Sequence, residues 1–169
     1  MFSSGCITSA ESVLIQMQSH EEVLSFVSSN PPPNSEGYRL PVLSISPQSL
    51  ASLAASTSST SRHPISLQTV LRRVQAFCRS KLGFAHVFDT TFARHLTLLE
   101  HGREFNERKS ARGNGENTLP MLASACPGWV CYAEKAHPEM LPFISRTKSP
   151  QQVMGTLVKQ WMAKQWGRE

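Results

Sequence analysis

Cysteine is the residue type in this chain best suited to chemistry. Four are present, Cys6, Cys78, Cys126 and Cys131, and no two form a Cys-x-x-Cys pair, so a self-contained zinc site has no support. Cys126 stands out by its neighbours. The run Leu119–Ala125 ends directly on it, and Pro127 follows at a plausible first helical position. A thiol at a helix N-terminus is favoured as thiolate, the form that ligates metal or attacks electrophiles. Gly128 tightens the backbone there and Trp129 offers an apolar wall. A lone cysteine is more often a buried structural residue, but this position and these neighbours weigh against that for Cys126. Cys131 falls inside the same helix and reads as a core thiol. Cys78 lies on the apolar face of its own helix. Cys6 sits in the small-residue stretch Ser4–Thr8, open to approach by a cofactor or simply exposed.

Other chemistries find less support. His95 and His101 are six apart, not on one helix face, and His86 lies in a strand-like run where a structural role is expected. Neither a phosphate loop nor a Gly-x-Gly-x-x-Gly turn is present, so nucleotide chemistry has no footing.

The elements that must position Cys126 follow from pattern. Ser19-His20-Glu21-Glu22 has capping-box form ahead of a short helix, and Asn30–Asn34 with its three prolines breaks the chain. Val42–Ser46 reads as a buried strand, followed by a brief helix over Leu50–Ala55. The polar tract Ser56–Ser61 is expected to be a flexible surface loop. Leu67, Val70, Leu71, Val74, Phe77 and Cys78 have helical spacing, with Gly83 where a C-terminal cap belongs. Phe84–Phe88 is a second strand, 92–105 a helix of weaker periodicity, and Leu119–Ala125 a third strand. Ser149-Pro150-Gln151-Gln152 opens a last helix. Strands alternating with helices predict an α/β fold with a parallel, doubly wound sheet, and such sheets bind ligands beyond the carboxyl ends of their strands, where Cys126 lies.

Composition sets the outer bounds. At 169 residues, 40% apolar and 17% charged, the chain is expected to be globular and long enough for a real core. No stretch approaches the roughly 20 apolar residues of a membrane span, and no secretory leader is recognisable, so no membrane association is expected and the setting is cytoplasmic or nuclear. The net charge is +5. Its densest run, Arg103–Arg112, also carries Glu104 and Glu107 and lacks interleaved aromatics, so it reads as a solvated helix face and no nucleic-acid partner is expected.

The segment Leu119–Trp129 resembles the first cluster motif of iron-only hydrogenases, Thr-Ser-Cys-Cys-Pro-x-Trp, as carried by the eukaryotic hydrogenase-like branch of that family. Ser44–Ser49, Val87–Thr90, Lys148–Gly155 and Ser4–Glu11 agree with it, so the similarity spans nearly the whole chain. The resemblance implies the N-terminal part of the iron-only hydrogenase large-subunit domain over 38–169, with 1–37 the remnant of a ferredoxin-like segment and linker. It implies a role in cytosolic iron–sulfur protein assembly, binding or relaying [4Fe-4S] clusters. The implied partners are the assembly targeting complex, with its WD40-repeat protein, and apoprotein clients. Cys126 matches the first ligand of the hydrogenase-type cluster, and Cys6 the last cysteine of the N-terminal cluster run. Ala125 replaces the cysteine next to the catalytic diiron subcluster in true hydrogenases, so no hydrogenase activity is expected.

With one matched ligand to each site between Met1 and Glu169, a fragment truncated at both ends and unable to complete a cluster is expected. Two alternatives stay open. One is a thiol oxidoreductase with Cys126 as nucleophile and Cys131 as resolving thiol. The other is a regulatory interaction module.

Overall fold

The computed structural model describes residues 19–59, 63–112 and 118–167. Cys6 and Thr60–Ser61 lie outside them. The chain divides into two compact units, one within Ala93–Gly155 and one joining Ser19–Phe92 to the stretch from Thr156 onward.

The second unit holds the sheet. Helix α1 (His20–Ser29) starts at Ser19, whose hydroxyl accepts the Glu22 amide at 3.3 Å, as the capping box predicts. After the proline break, Asn30 clamps Arg39 through both backbone groups: its Nδ2 donates to the Arg39 carbonyl at 2.7 Å, and its Oδ1 accepts the Arg39 amide at 3.0 Å. Strand β1 (Val42–Ile45) then pairs in parallel with β2 (His86–Asp89), Val42 opposite His86 and Ile45 opposite Asp89. Among the described residues this is the whole sheet, so the α/β class holds with two parallel strands.

Between the strands run α2 (Pro47–Ser59) and α3 (Leu67–Lys81). The loop expected at Ser56–Ser61 is helical as far as Ser59. Its hydroxyls fold back on the helix, Thr57 donating to the Leu53 carbonyl at 2.7 Å and Ser59 to that of Ser56 at 2.6 Å. Hydroxyls satisfied in this way can end a helix whose buried residues, Leu50 and Ala54, have already set its packing. Ser66 caps α3, and Gly83, at φ 72°, follows its end as expected.

Two apolar clusters lie between these elements. Leu50, Ala54 and Val70 form one; Cys78, Phe84 and Val87 form the other, backed by Val27 and Leu43. Cys78 is thus the core thiol its helical position predicts, and burial pushes its pKa up. His86 is structural too. Its ring stacks on Trp166 at 4.1 Å and 6°, and burial, with the nearby Arg79 charge, lowers its pKa.

Helix α4 (Thr91–Arg112) is longer than its periodicity suggests, its entry fixed by the Asp89 carboxylate accepting the Thr91 amide at 2.8 Å. In the first unit follow α5 (Pro127–Ala136), a 3-10 turn over Pro138–Phe143, and α6 (Pro150–Thr156). Ser149 and Gln152 close a reciprocal capping box, amide to side chain at 3.1 and 3.3 Å. The chain continues through a π turn, Leu157–Met162, into the short α7 (Ala163–Gln165).

The third strand expected at Leu119–Ala125 does not form. Only Leu122 pairs, in an isolated parallel bridge with Ile144, its amide donating to the Phe143 carbonyl at 2.8 Å and its carbonyl accepting the Ser145 amide at 2.7 Å. Pro120 has no N–H to give a ladder, and the segment stays irregular up to Cys126.

Candidate functional site

Cys126 is the N-cap of α5, with Pro127 at the first helical position, as the sequence predicts. Its amide donates to Ser124 Oγ at 3.1 Å, and its carbonyl accepts the Val130 amide at 3.3 Å to start the helix. Neighbouring backbone is therefore committed locally. The side chain makes no capping bond, and Cys126 is exposed. The geometry leaves an exposed thiol at a helix N-terminus. Cys131, five residues on, is half-buried and also free.

What holds this segment in place is a buried knot on α4. Arg108 Nε and Nη2 both donate to Glu104 Oε1, at 3.0 and 2.6 Å. The rest of the guanidinium collects backbone carbonyls. Nη1 donates to Thr118, Pro142 and Phe143 at 3.0, 3.1 and 3.1 Å, and Nη2 to Ile144 at 2.8 Å. One planar cation thus ties α4 to Thr118, eight residues before Cys126, and to the stretch that pairs with Leu122. Glu104 completes the knot by accepting the Ser145 hydroxyl at 2.5 Å, the Arg146 amide at 3.1 Å and the Thr147 hydroxyl at 3.2 Å. Burial alone would raise the Glu104 pKa. The bonds from Ser145, Arg146 and Arg108, with the guanidinium charge, outweigh it and hold the carboxyl at about 2.

The solvated helix face expected over Arg103–Arg112 is therefore corrected at two of its residues: Arg108 is buried and Glu104 nearly so. Arg103 keeps the exposed character expected of that run, pairing with Glu100 just before it at 3.5 Å near the surface. The i, i+4 spacing of Glu104 and Arg108 was the available signal. Nothing in the sequence marks the carbonyls that draw the pair inward. A cleft of about 740 Å³ opens beside the knot, lined by Leu96, Glu104, Arg108, Thr118, Arg146 and Val153 among others.

An iron–sulfur cube takes four thiolates. Among the described residues no three His, Cys, Asp or Glu side chains gather where they could hold a metal ion. Cys126 offers one exposed thiol, Cys78 is sealed in the core, and Cys6 lies outside the described residues. The donor set described does not fit a complete cluster, and Cys126 contributes one exposed thiol to it.

The model of the iron only hydrogenase large subunit, C-terminal domain, matches residues 41–168. Among curated proteins, the chain is 53% identical over 166 residues to cytosolic Fe-S cluster assembly factor NAR1 of Cryptococcus neoformans, covering 94% of this chain and 26% of that protein. It is 52% identical to cytosolic Fe-S cluster assembly factor narfl of Danio rerio, covering 97% and 38% respectively. Among solved structures, a variant of FeFe-hydrogenase HydA1 from Chlamydomonas reinhardtii matches with a TM-score of 0.65 and 29% identity, over 88% of this chain and 34% of that one. The chain thus spans about a quarter to two fifths of the length of those two curated relatives.

Proposed function

Because the chain belongs to the iron-only hydrogenase large-subunit family, matching its C-terminal domain over residues 41–168, we propose that it is the cluster-facing portion of a cytosolic iron–sulfur assembly factor. The observation that carries this reading is Cys126, an exposed and uncommitted thiol capping α5, with the family match running through it. About fifty per cent identity to proteins named as cytosolic assembly factors supports assembly as the process.

Cys126 serves as one thiolate ligand of a [4Fe-4S] cluster in the hydrogenase-like domain, and Cys6 as one ligand of an N-terminal cluster. The knot of Glu104 and Arg108 is the support that keeps the Cys126 segment in one place. The domain proper occupies 38–169, with 1–37 leading into it. The partners are apoprotein clients and the targeting complex with its WD40-repeat protein, met in the cytoplasm and also the nucleus. The chain is a carrier or adaptor without hydrogenase activity: Ala125 puts a methyl group where a cysteine would stand near a diiron centre.

The experiment is anaerobic reconstitution of the chain with iron and sulfide, followed by iron and sulfide analysis and absorbance in the thiolate-to-iron charge-transfer region. Less than one full cluster per chain is expected, and Cys126→Ser should remove most of what binds at the hydrogenase-type site. A complete, stable cluster indifferent to Cys126→Ser would overturn the assignment. The rival use of Cys126 as a redox nucleophile would appear instead as a mixed disulfide resolved by Cys131 in the metal-free chain.

A further inference from the structure

We propose that Tyr132 is a nucleophile for acyl transfer, prepared by a Glu139–His137–Tyr132 hydrogen-bonded relay at the C-terminal end of α5. The Tyr132 hydroxyl lies 3.3 Å from His137 Nε2, and His137 Nδ1 lies 3.1 Å from Glu139 Oε1. The imidazole thus stands between a phenol and a carboxylate, the arrangement in which a base activates a nucleophile while a third group orients the base.

The hydrogen positions follow from what each group can do. The Glu139 carboxyl is held below its ordinary range by its own backbone amide and by His137, so at neutral pH it is a carboxylate and only accepts. His137 Nδ1 must then carry the hydrogen. In the neutral ring this leaves the Nε2 lone pair facing Tyr132, and the phenol is the donor. Its O–H is aimed at the base, and Tyr132 is 42% exposed.

The backbone supports this. His137 is the C-cap of α5, its amide donating to the Ala133 carbonyl at 2.9 Å, and its carbonyl accepts the Met140 amide at 2.9 Å, with Pro138 between them. The Tyr132 and His137 rings meet edge to face at 5.5 Å and 65°.

The substrate class is a small activated acyl donor. The phenol oxygen attacks the carbonyl carbon, an aryl ester bond forms, and the bond from carbonyl to leaving group breaks. The phenol proton passes to His137 Nε2 and from there to the leaving group, with no change of oxidation state.

The test treats the whole chain with N-acetylimidazole at mildly alkaline pH and follows acetylation of Tyr132 and Tyr38, the two tyrosines, by peptide mass spectrometry. His137→Gln should slow Tyr132 by roughly tenfold, the low end of general-base assistance because the relay is exposed. Glu139→Gln should slow it by a smaller factor, and Glu134→Gln, a like charge on the same helix outside the relay, should leave it unchanged. Tyr38 serves as the internal standard and should keep its rate throughout. Should His137→Gln alter the Tyr38 rate, showing general loosening, Glu139→Gln decides, since its side chain is 69% exposed and supports no core. An unchanged Tyr132 rate in Glu139→Gln, or equal slowing by Glu134→Gln, overturns the proposal.

Discussion

Arg108 Nη2 and Glu104 Oε1 meet at 2.6 Å, one helical turn apart on α4, with side chains only 9% and 15% exposed. An ion pair at that depth survives because neither partner relies on the other alone. Arg108 satisfies four backbone carbonyls, and Glu104 accepts two hydroxyls and an amide besides. The pair acts as a fastener between one helix and the irregular segments on either side of α5.

Removing the cation should be severe. Arg108→Ala leaves Glu104 charged and buried and four carbonyls short of a donor, a loss of about 3–5 kcal/mol. Arg108→Lys should recover little of it, since an ammonium cannot fork between a carboxylate and several carbonyls. Urea unfolding of the three proteins measures both effects, and near wild-type stability for the lysine variant would contradict the forked geometry.

The same carboxylate makes stability depend on acid. Its folded pKa of about 2 lies below the ordinary 4.5, so its contribution is complete above 4.5 and is lost as pH falls from there toward 2. The full effect is roughly 3 kcal/mol. Thermal midpoints at neutral pH and near pH 3 should fall steeply for the wild type. Glu104→Gln should start lower and change less, because it has no proton to take up.

Two glycines should respond oppositely to alanine. Gly83 sits at φ 72°, so Gly83→Ala costs about 1 kcal/mol in strain although a Cβ would meet only Val27 at 3.8 Å. Gly155 is in α6 with open space around it, and Gly155→Ala should stabilise by up to ~1 kcal/mol. Differential scanning calorimetry of the two single variants checks the sign of each.

The capping box of α6 offers a smaller, local test. Ser149→Ala removes the acceptor of the Gln152 amide and should cost about 1 kcal/mol, and Gln152→Ala about half as much. Hydrogen exchange at the Gln152 amide should quicken in the first variant and not in a surface control such as Lys164→Ala.

Much of the scaffold was legible because its signals are local. Ser19, Pro127 and Ser149 each mark a helix start within a few residues, and Gly83 marks a helix end by tolerating a positive φ. Cys126 was legible for the same reason, its position resting on Pro127 beside it. The misses are non-local or turn on a single atom. Glu104 and Arg108 look like surface charges until Thr118, Pro142–Ile144 and Ser145 supply partners from 10 to 41 residues away. Leu119–Ala125 has strand-like composition, yet Pro120 lacks the donor that a ladder needs. Ser56–Ser59 is polar enough for a loop, but its hydroxyls find carbonyls one turn back.

The unit that contains the sheet is discontinuous, Ser19–Phe92 joined by the stretch from Thr156 onward, with Trp166 stacked on His86 and Phe88 of β2. During synthesis its first part leaves the ribosome long before the aromatic ring that covers β2 exists. Everything from Ala93 to Gly155 is made in the interval, while His86 and Phe88 wait without Trp166. Domains tend to fold in the order they are made, and contacts of high sequence separation come late. For this chain, closure of the first-made unit waits until the whole intervening unit has been made, and His86 and Phe88 present bare aromatic surface until Trp166 arrives.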